Sequence, residues 1–183
     1  GTATVNGQPA KVGSVVKPGD KVSTGKGSST VVVIGKDAFL LRENTSVTFE
    51  EKKAKPGALE SVLIATGKVL SVFEKREGDG ITIKASNATI GVRGTGCYIE
   101  IHEGRCYFCL CYGEVGIDGA GMAQTKVIKT THHESPVWLD DRGGIMNVEK
   151  AGFVNHNDDE LIMLENLTGR EPPFVKMGLR GKY

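Results

Sequence analysis

Residues 90–115 read IGVRGTGCYIEIHEGRCYFCLCYGEV. Two extended, apolar-rich segments flank a break at His102-Glu103-Gly104, so the stretch is a β-hairpin. Just ahead of it, Gly94 and Gly96 permit a bulge or a positive φ. Arg93 is a planar, permanently charged donor suited to tying neighbouring carbonyls or carboxylates together. Thr95 can hydrogen-bond the local backbone. All four cysteines of the chain, Cys97, Cys106, Cys109 and Cys111, fall inside this hairpin. Thiols placed only for packing rarely cluster in this way. The group holds a metal, is cross-linked, or does redox work.

The same alternation of short apolar runs and turns extends in both directions. Upstream, residues 31–34, 39–41 and 47–49 are strand candidates, and Ile81, Ile83 and Ala85 alternate with polar residues at a period of two. Residues 62–65 and 69–73 read as two strands around a Thr66-Gly67 turn. Residues 50–61, polar and broken by Pro56-Gly57, form a loop or hairpin tip. Downstream, residues 125–131 and 137–139 are further strands. The 25 glycines against six prolines fit many turns between many short strands. The character changes near Gly152. Asn157 or Asp158 caps a helix with acids in its first turn, apolar positions at Leu161, Ile162, Leu164 and Leu167, and a stop at Gly169. The closing GLRGKY is basic and expected to fray. The expected organisation is a β domain over residues 1–150 and a helical extension over 151–183.

Composition narrows the function. A net charge of +1 and 6 % aromatic residues provide neither the field nor the stacking surface of a nucleic-acid binder. No apolar run reaches the eighteen or more residues of a membrane span. The chain opens on Gly1 rather than Met, which fits a processed exported chain and equally a tag scar. No Ser-His-Asp arrangement, phosphate-cradling loop or carboxylate pair stands out, so an enzyme is not expected.

Cys109 and Cys111 lie two apart on one strand and share a face. Cys106 falls on the other face. Cys97, on the preceding strand, faces Cys111 if the hairpin loop has three residues and Leu110 if it has two. The adjacent pair His132-His133 sits at a strand end, where a turning backbone can bring both rings together. Two thiolates and two imidazoles make a tetrahedral S₂N₂ set suited to zinc or iron, including a Rieske-like iron–sulfur cluster. The expected metal ligands are therefore Cys109, Cys111, His132 and His133, with Cys97 and Cys106 in second rank. His102 and His156 look isolated and solvated, and Asp158-Asp159-Glu160 reads as a favourable first helical turn. Disulfides in an exported protein are the main alternative, and a Cys-His nucleophile is a weaker one.

Three segments occur in a telling order: V-x-x-G-D-K-V-x-T-G at residues 16–25, L-I-A-T-G-K-V-L-S-V at 63–72, and I-x-V-R-G-T-G at 90–96, closed by C-Y-G-E-V at 111–115. This pattern resembles the FecR domain family over roughly residues 10–120. The resemblance implies an all-β fold, a twisted β-sandwich or solenoid-like stack of short strands, here with one C-terminal helix. It also implies a periplasmic or extracellular location. Its best-known members relay occupancy of an outer-membrane iron transporter to an anti-sigma segment and a sigma factor. They do so with a cytoplasmic region and a membrane helix that are not in this chain. The expected function is a non-catalytic binding, sensing or signalling module with a Cys/His metal or iron–sulfur centre and a protein partner in the cell envelope. The alternatives are a disulfide-stapled scaffold for a protein or surface polymer, and a thiol-dependent enzyme.

Overall fold

The computed structural model describes residues 1–76, 78, 80–86 and 88–182. In chain order its first strands are β1 (Ala3–Val5), β2 (Gln8–Pro9), β3 (Lys21–Thr24), β4 (Thr30–Ile34), β5 (Asp37–Leu41), β6 (Ser46–Glu51) and β7 (Leu59–Val72). Then follow β8 (Ile81–Ala85), β9 (Ala88–Val92), β10 (Gly96–His102), β11 (Arg105–Gly119), β12 (Lys126–Thr130), β13 (Val137–Asp141) and β14 (Met146–Lys150). Two helices end the chain, α1 (Asp158–Leu167) and the one-turn α2 (Pro173–Lys176). None of the described helices is long and apolar enough to cross a membrane.

The strands form two sheets that share β7 and β11. One sheet runs β2-β1-β3-β6-β7-β8-β9-β11-β12, and all its pairs are antiparallel except β7-β8. The other runs β4-β5-β7-β10-β11-β13-β14. Each long strand changes sheet part-way along. The first part of β7 pairs with β6 and β8, and the part from Gly67 onward with β5 and β10. The fold is thus the expected all-β sandwich, but the expected turn at Thr66-Gly67 is a bend within one continuous strand. Gly67 has φ +90°. A Cβ there would overlap Cα and Cβ of Thr45, whose hydroxyl accepts the Lys68 N–H at 3.0 Å. Only glycine fits so close to the neighbouring corner.

The β10–β11 hairpin has a two-residue turn. His102 lies opposite Arg105, with Glu103-Gly104 between them and Gly104 at φ +69°. Cys97 therefore faces Leu110. The register slips at Gly96, which pairs with Tyr112, and a side chain at that glycine would enter the Tyr112 ring. Arg93 serves the structural role expected of it, donating to the Gly78 carbonyl at 2.6 Å. Thr95 does not. Its buried hydroxyl has no partner among the described residues, and its methyl group packs close to Gly113.

Strand alternation sends the hairpin side chains into two cores. Cys97, Ile99, Cys106, Phe108 and Leu110 join the main core between the sheets, with Phe39, Phe49 and Phe73. Tyr98, Tyr107, Cys109 and Cys111 point to the outer face of the second sheet, beside Ala38, Leu40, Leu70 and Val72. That face is covered by Leu161 and Leu164 of α1 and Phe174 of α2. Long-range polar contacts hold the cover down. Arg42 reaches both Glu160 oxygens at 2.7 and 2.9 Å, and Tyr112 O–H donates to Glu165. The tail expected to fray is also anchored, since the Gly181 N–H donates to Asp158 at 2.7 Å. Tyr183 lies outside the described residues.

Asn157 caps α1. Its side chain accepts the Glu160 N–H at 3.0 Å, and the Glu160 carboxylate accepts the Asn157 N–H at 3.1 Å, a complete capping box. Asn157→Ala removes one half of it. The expected loss is about 1 kcal/mol in urea unfolding, and no loss at all would contradict this role.

Candidate metal centre

The site forms where β11 changes neighbours. Arg105 to Phe108 of β11 pair with β13, and Gly113 to Ile117 pair with β12. Between them, residues 109–112 lack a regular strand on that side. The connection T-T-H-H-E-S-P fills the gap, and the His133 N–H donates to the Cys111 carbonyl at 3.0 Å. His133 sits at φ +54°, in the left-handed region. This is the backbone turn needed to aim its ring back at β11, and histidine is among the residues that tolerate it.

Four donors converge. Cys109 Sγ lies 3.7 Å from His133 Nδ1, and Cys111 Sγ lies 3.4 Å from His156 Nε2. The two ring nitrogens are 3.2 Å apart. All four ligand atoms lie within 4.8 Å of one another, and all four residues are buried. A tetrahedral zinc with bonds of about 2.3 Å to sulfur and about 2.0–2.1 Å to nitrogen has S···N edges near ~3.5 Å and N···N edges near ~3.3 Å. The Cys109–His133, Cys111–His156 and His133–His156 edges are thus close to the lengths such an ion needs.

Their lone pairs also face inward. His156 Nδ1 is 2.7 Å from the Val154 carbonyl, which can only accept, so Nδ1 carries the proton and Nε2 presents its lone pair. His133 Nε2 is 3.0 Å from Asp158 Oδ1, so Nε2–H donates there and Nδ1 faces the sulfurs. A carboxylate behind a ligating histidine is the usual outer support of a metal site. His156 stacks on Tyr98 with ring centroids 4.4 Å apart, and Phe153 and Phe174 lie against the imidazoles.

The sulfurs are electronically unequal. The Cys111 thiol next to Cys109 is the first cause that holds the Cys109 thiol well below the ordinary thiol range. It outweighs burial, and His133 and His156 add to it. Burial, then the neighbouring Cys109, pushes Cys111 up. The pair thus gives up its first proton easily, the requirement for a thiolate ligand.

The expected ligands divide as follows. Cys109, Cys111 and His133 come together. His132 stands one step back, with Nε2 at 2.9 and 3.0 Å from the Asp158 carboxylate and Nδ1 at 3.1 Å from the Lys182 carbonyl. Cys97 and Cys106 lie in the main core, across the sheet from the other two sulfurs. Burial pushes the Cys106 thiol up to about 12, and the Cys97 thiol higher still. All four cysteines are free thiols. The fourth donor is His156, which is buried rather than solvated as expected. Asp158 likewise faces inward and is 2 % exposed, so the acidic run does more than begin a helix. His102 stays half-exposed at the hairpin tip, 3.0 Å from Glu100. A two-iron cluster does not fit these donors, because it would carry thiolates and imidazoles on separate irons. Here each sulfur touches an imidazole.

The Asp158 carboxyl is held below its ordinary value of 3.8: burial opposes its charge, but the Gly181 N–H and the two imidazoles outweigh burial. Acid therefore protonates the unfolded chain first. The stabilisation by ionised Asp158 is complete above about pH 4 and fades as pH falls through the lower folded value. In chelator-treated protein, Asp158→Asn should cost about 2 kcal/mol at neutral pH. The difference from wild type should shrink below pH 3.8. A pH-independent difference would contradict the assignment.

The model of the FecR protein family matches residues 20–116, more than half of the chain. This chain belongs to the FecR family. Two crystal structures of a proposed anti-sigma factor from Parabacteroides distasonis, at 2.50 and 1.65 Å resolution, share its fold. Both superpose with a TM-score of 0.57, at 11 % and 12 % identity. The matches cover 78 % and 85 % of the FecR-family chain and 71 % and 74 % of those structures. At such identities the likeness is one of fold. No curated protein sequence matches the chain. The family match ends at Gly116, so His133, His156 and Asp158 lie beyond it.

Proposed function

We propose that this FecR-family chain is a non-catalytic regulatory module that senses or recognises a protein partner in the cell envelope. We further propose that its β-sandwich carries one tetrahedral metal ion, zinc before iron, on Cys109, Cys111, His133 and His156. The regulatory reading rests on family membership and gains support from the fold shared with the proposed anti-sigma factor. The periplasmic or extracellular location rests on the family resemblance alone. One observation carries the metal: two sulfurs and two ring nitrogens converge within 4.8 Å, ring lone pairs turned inward, with three of their edges near those of a tetrahedral site. Held there, an ion supplies a cross-link among three separate segments of chain.

The non-catalytic reading rests on access. Cys109, Cys111, His133 and His156 are all buried, so no substrate carbonyl can approach the activated sulfur. Elemental analysis of the purified chain tests the proposal. One zinc or iron per chain is expected, and cobalt exchanged into the site should give the intense visible bands of tetrahedral thiolate coordination. A chain without metal that also fails to take up added zinc or cobalt would refute the centre and leave the regulatory reading without its sensing element.

A further inference from the structure

We infer that residues 151–182 form a metal-locked strap over the second sheet, and that loss of the ion loosens the strap and uncovers the face beneath. This rests on the metal reading above. Cys109 and Cys111 belong to the sheet, but His156 belongs to the strap. Asp158, which supports His133, also comes from the strap and is held in turn by the Gly181 N–H. His132 ties the same carboxylate to the Lys182 carbonyl. Both ends of the strap thus meet at one point, beside the four donors.

The face below is apolar, built from Ala38, Leu40, Leu70 and Val72 with the rings of Tyr98 and Tyr107. The strap reaches the sheet mainly through Leu161, Leu164 and Phe174, with Arg42 and Tyr112 as polar tethers. Take the ion away, and the bond joining the strap to the sheet is lost: His156 is then held to Cys111 only by a thiol–imidazole contact of 3.4 Å. The main core, enclosed between the sheets, has no share in that site. Weakening is therefore local: the strap loosens while β6, β8 and β9 of the other sheet stay closed. Uncovering an apolar face on loss of an ion is a change that a regulatory module can pass to a partner.

Hydrogen exchange of the full chain, zinc-loaded and EDTA-treated, with zinc content measured on both samples, tests this. The expected result is at least tenfold faster exchange of the α1 amides after zinc removal, with β6, β8 and β9 unchanged and protection restored by added zinc. By linkage, Leu164→Ala and Arg42→Ala touch no ligand but should each weaken zinc binding several-fold. Arg42→Ala, at the rim of the strap, keeps the linkage test readable if Leu164→Ala unfolds the chain. Stoichiometric zinc with unchanged α1 exchange after its removal would overturn the strap and spare the metal centre. Uniform acceleration across the chain would overturn it too, as a global staple. A chain that binds no zinc would overturn both readings.

Discussion

Cys109→Ser should empty the metal site. Bound zinc is expected to fall from about one per chain to less than a tenth, because a serine hydroxyl is not a thiolate and zinc sites need their full donor set. Cys111→Ser and His156→Ala should do the same. Cys97→Ala and Cys106→Ala should keep full occupancy, since both sulfurs lie in the main core, across the sheet from the site. His132→Ala should weaken zinc by about 10- to 100-fold by releasing Asp158, the support behind His133. The effect on stability follows by mass action: at free zinc about 1,000-fold above Kd, a bound ion adds about 4 kcal/mol. Zinc content and thermal melts, with and without EDTA, check the set. A zinc-free Cys106→Ala protein beside a zinc-loaded Cys109→Ser protein would reverse the assignment of faces.

Gly67→Ala should cost about 2–4 kcal/mol. Alanine in the left-handed region pays about 1 kcal/mol or more on its own. The added methyl would overlap backbone and side-chain atoms of Thr45, at a corner fixed by the bond from the Lys68 N–H. Such overlap costs about 1–3 kcal/mol further. The loss falls on the strand that joins both sheets, so the whole sandwich should feel it. Urea unfolding with an unchanged slope and a lower midpoint is the expected reading. A loss below about 1 kcal/mol would mean that the bend tolerates a side chain, contrary to the close approach seen here.

Much of the β framework was legible in the sequence, because strands, turns and faces are local. Period two placed Cys109 and Cys111 on one face and Cys106 on the other, and the structure agrees. The family pattern ran through V-R-G-T-G, where Arg93 does tie a neighbouring carbonyl. Gly67 shows the limit of local pattern, because a positive-φ glycine looks the same in a turn and in a bent strand. The sequence allows two hairpin registers, and a one-residue difference decides which side chain Cys97 meets. The register observed turns Cys97 away from Cys109 and Cys111, into the main core with Cys106.

Neighbouring residues along the chain were enough to specify a sandwich of short strands, a capped C-terminal helix and a pair of thiols pointing the same way. They were not enough to specify the centre. His156 lies 45 residues from Cys111, and Asp158 lies 25 from His133. Neither has a pattern of its own, and each reads locally as part of a helix start. They reach the sulfurs because Leu161, Leu164 and Phe174 gain more by covering the second sheet than by facing water. Hydrophobic burial has no direction encoded in spacing, so the docking that assembles the four donors exists only in the folded chain.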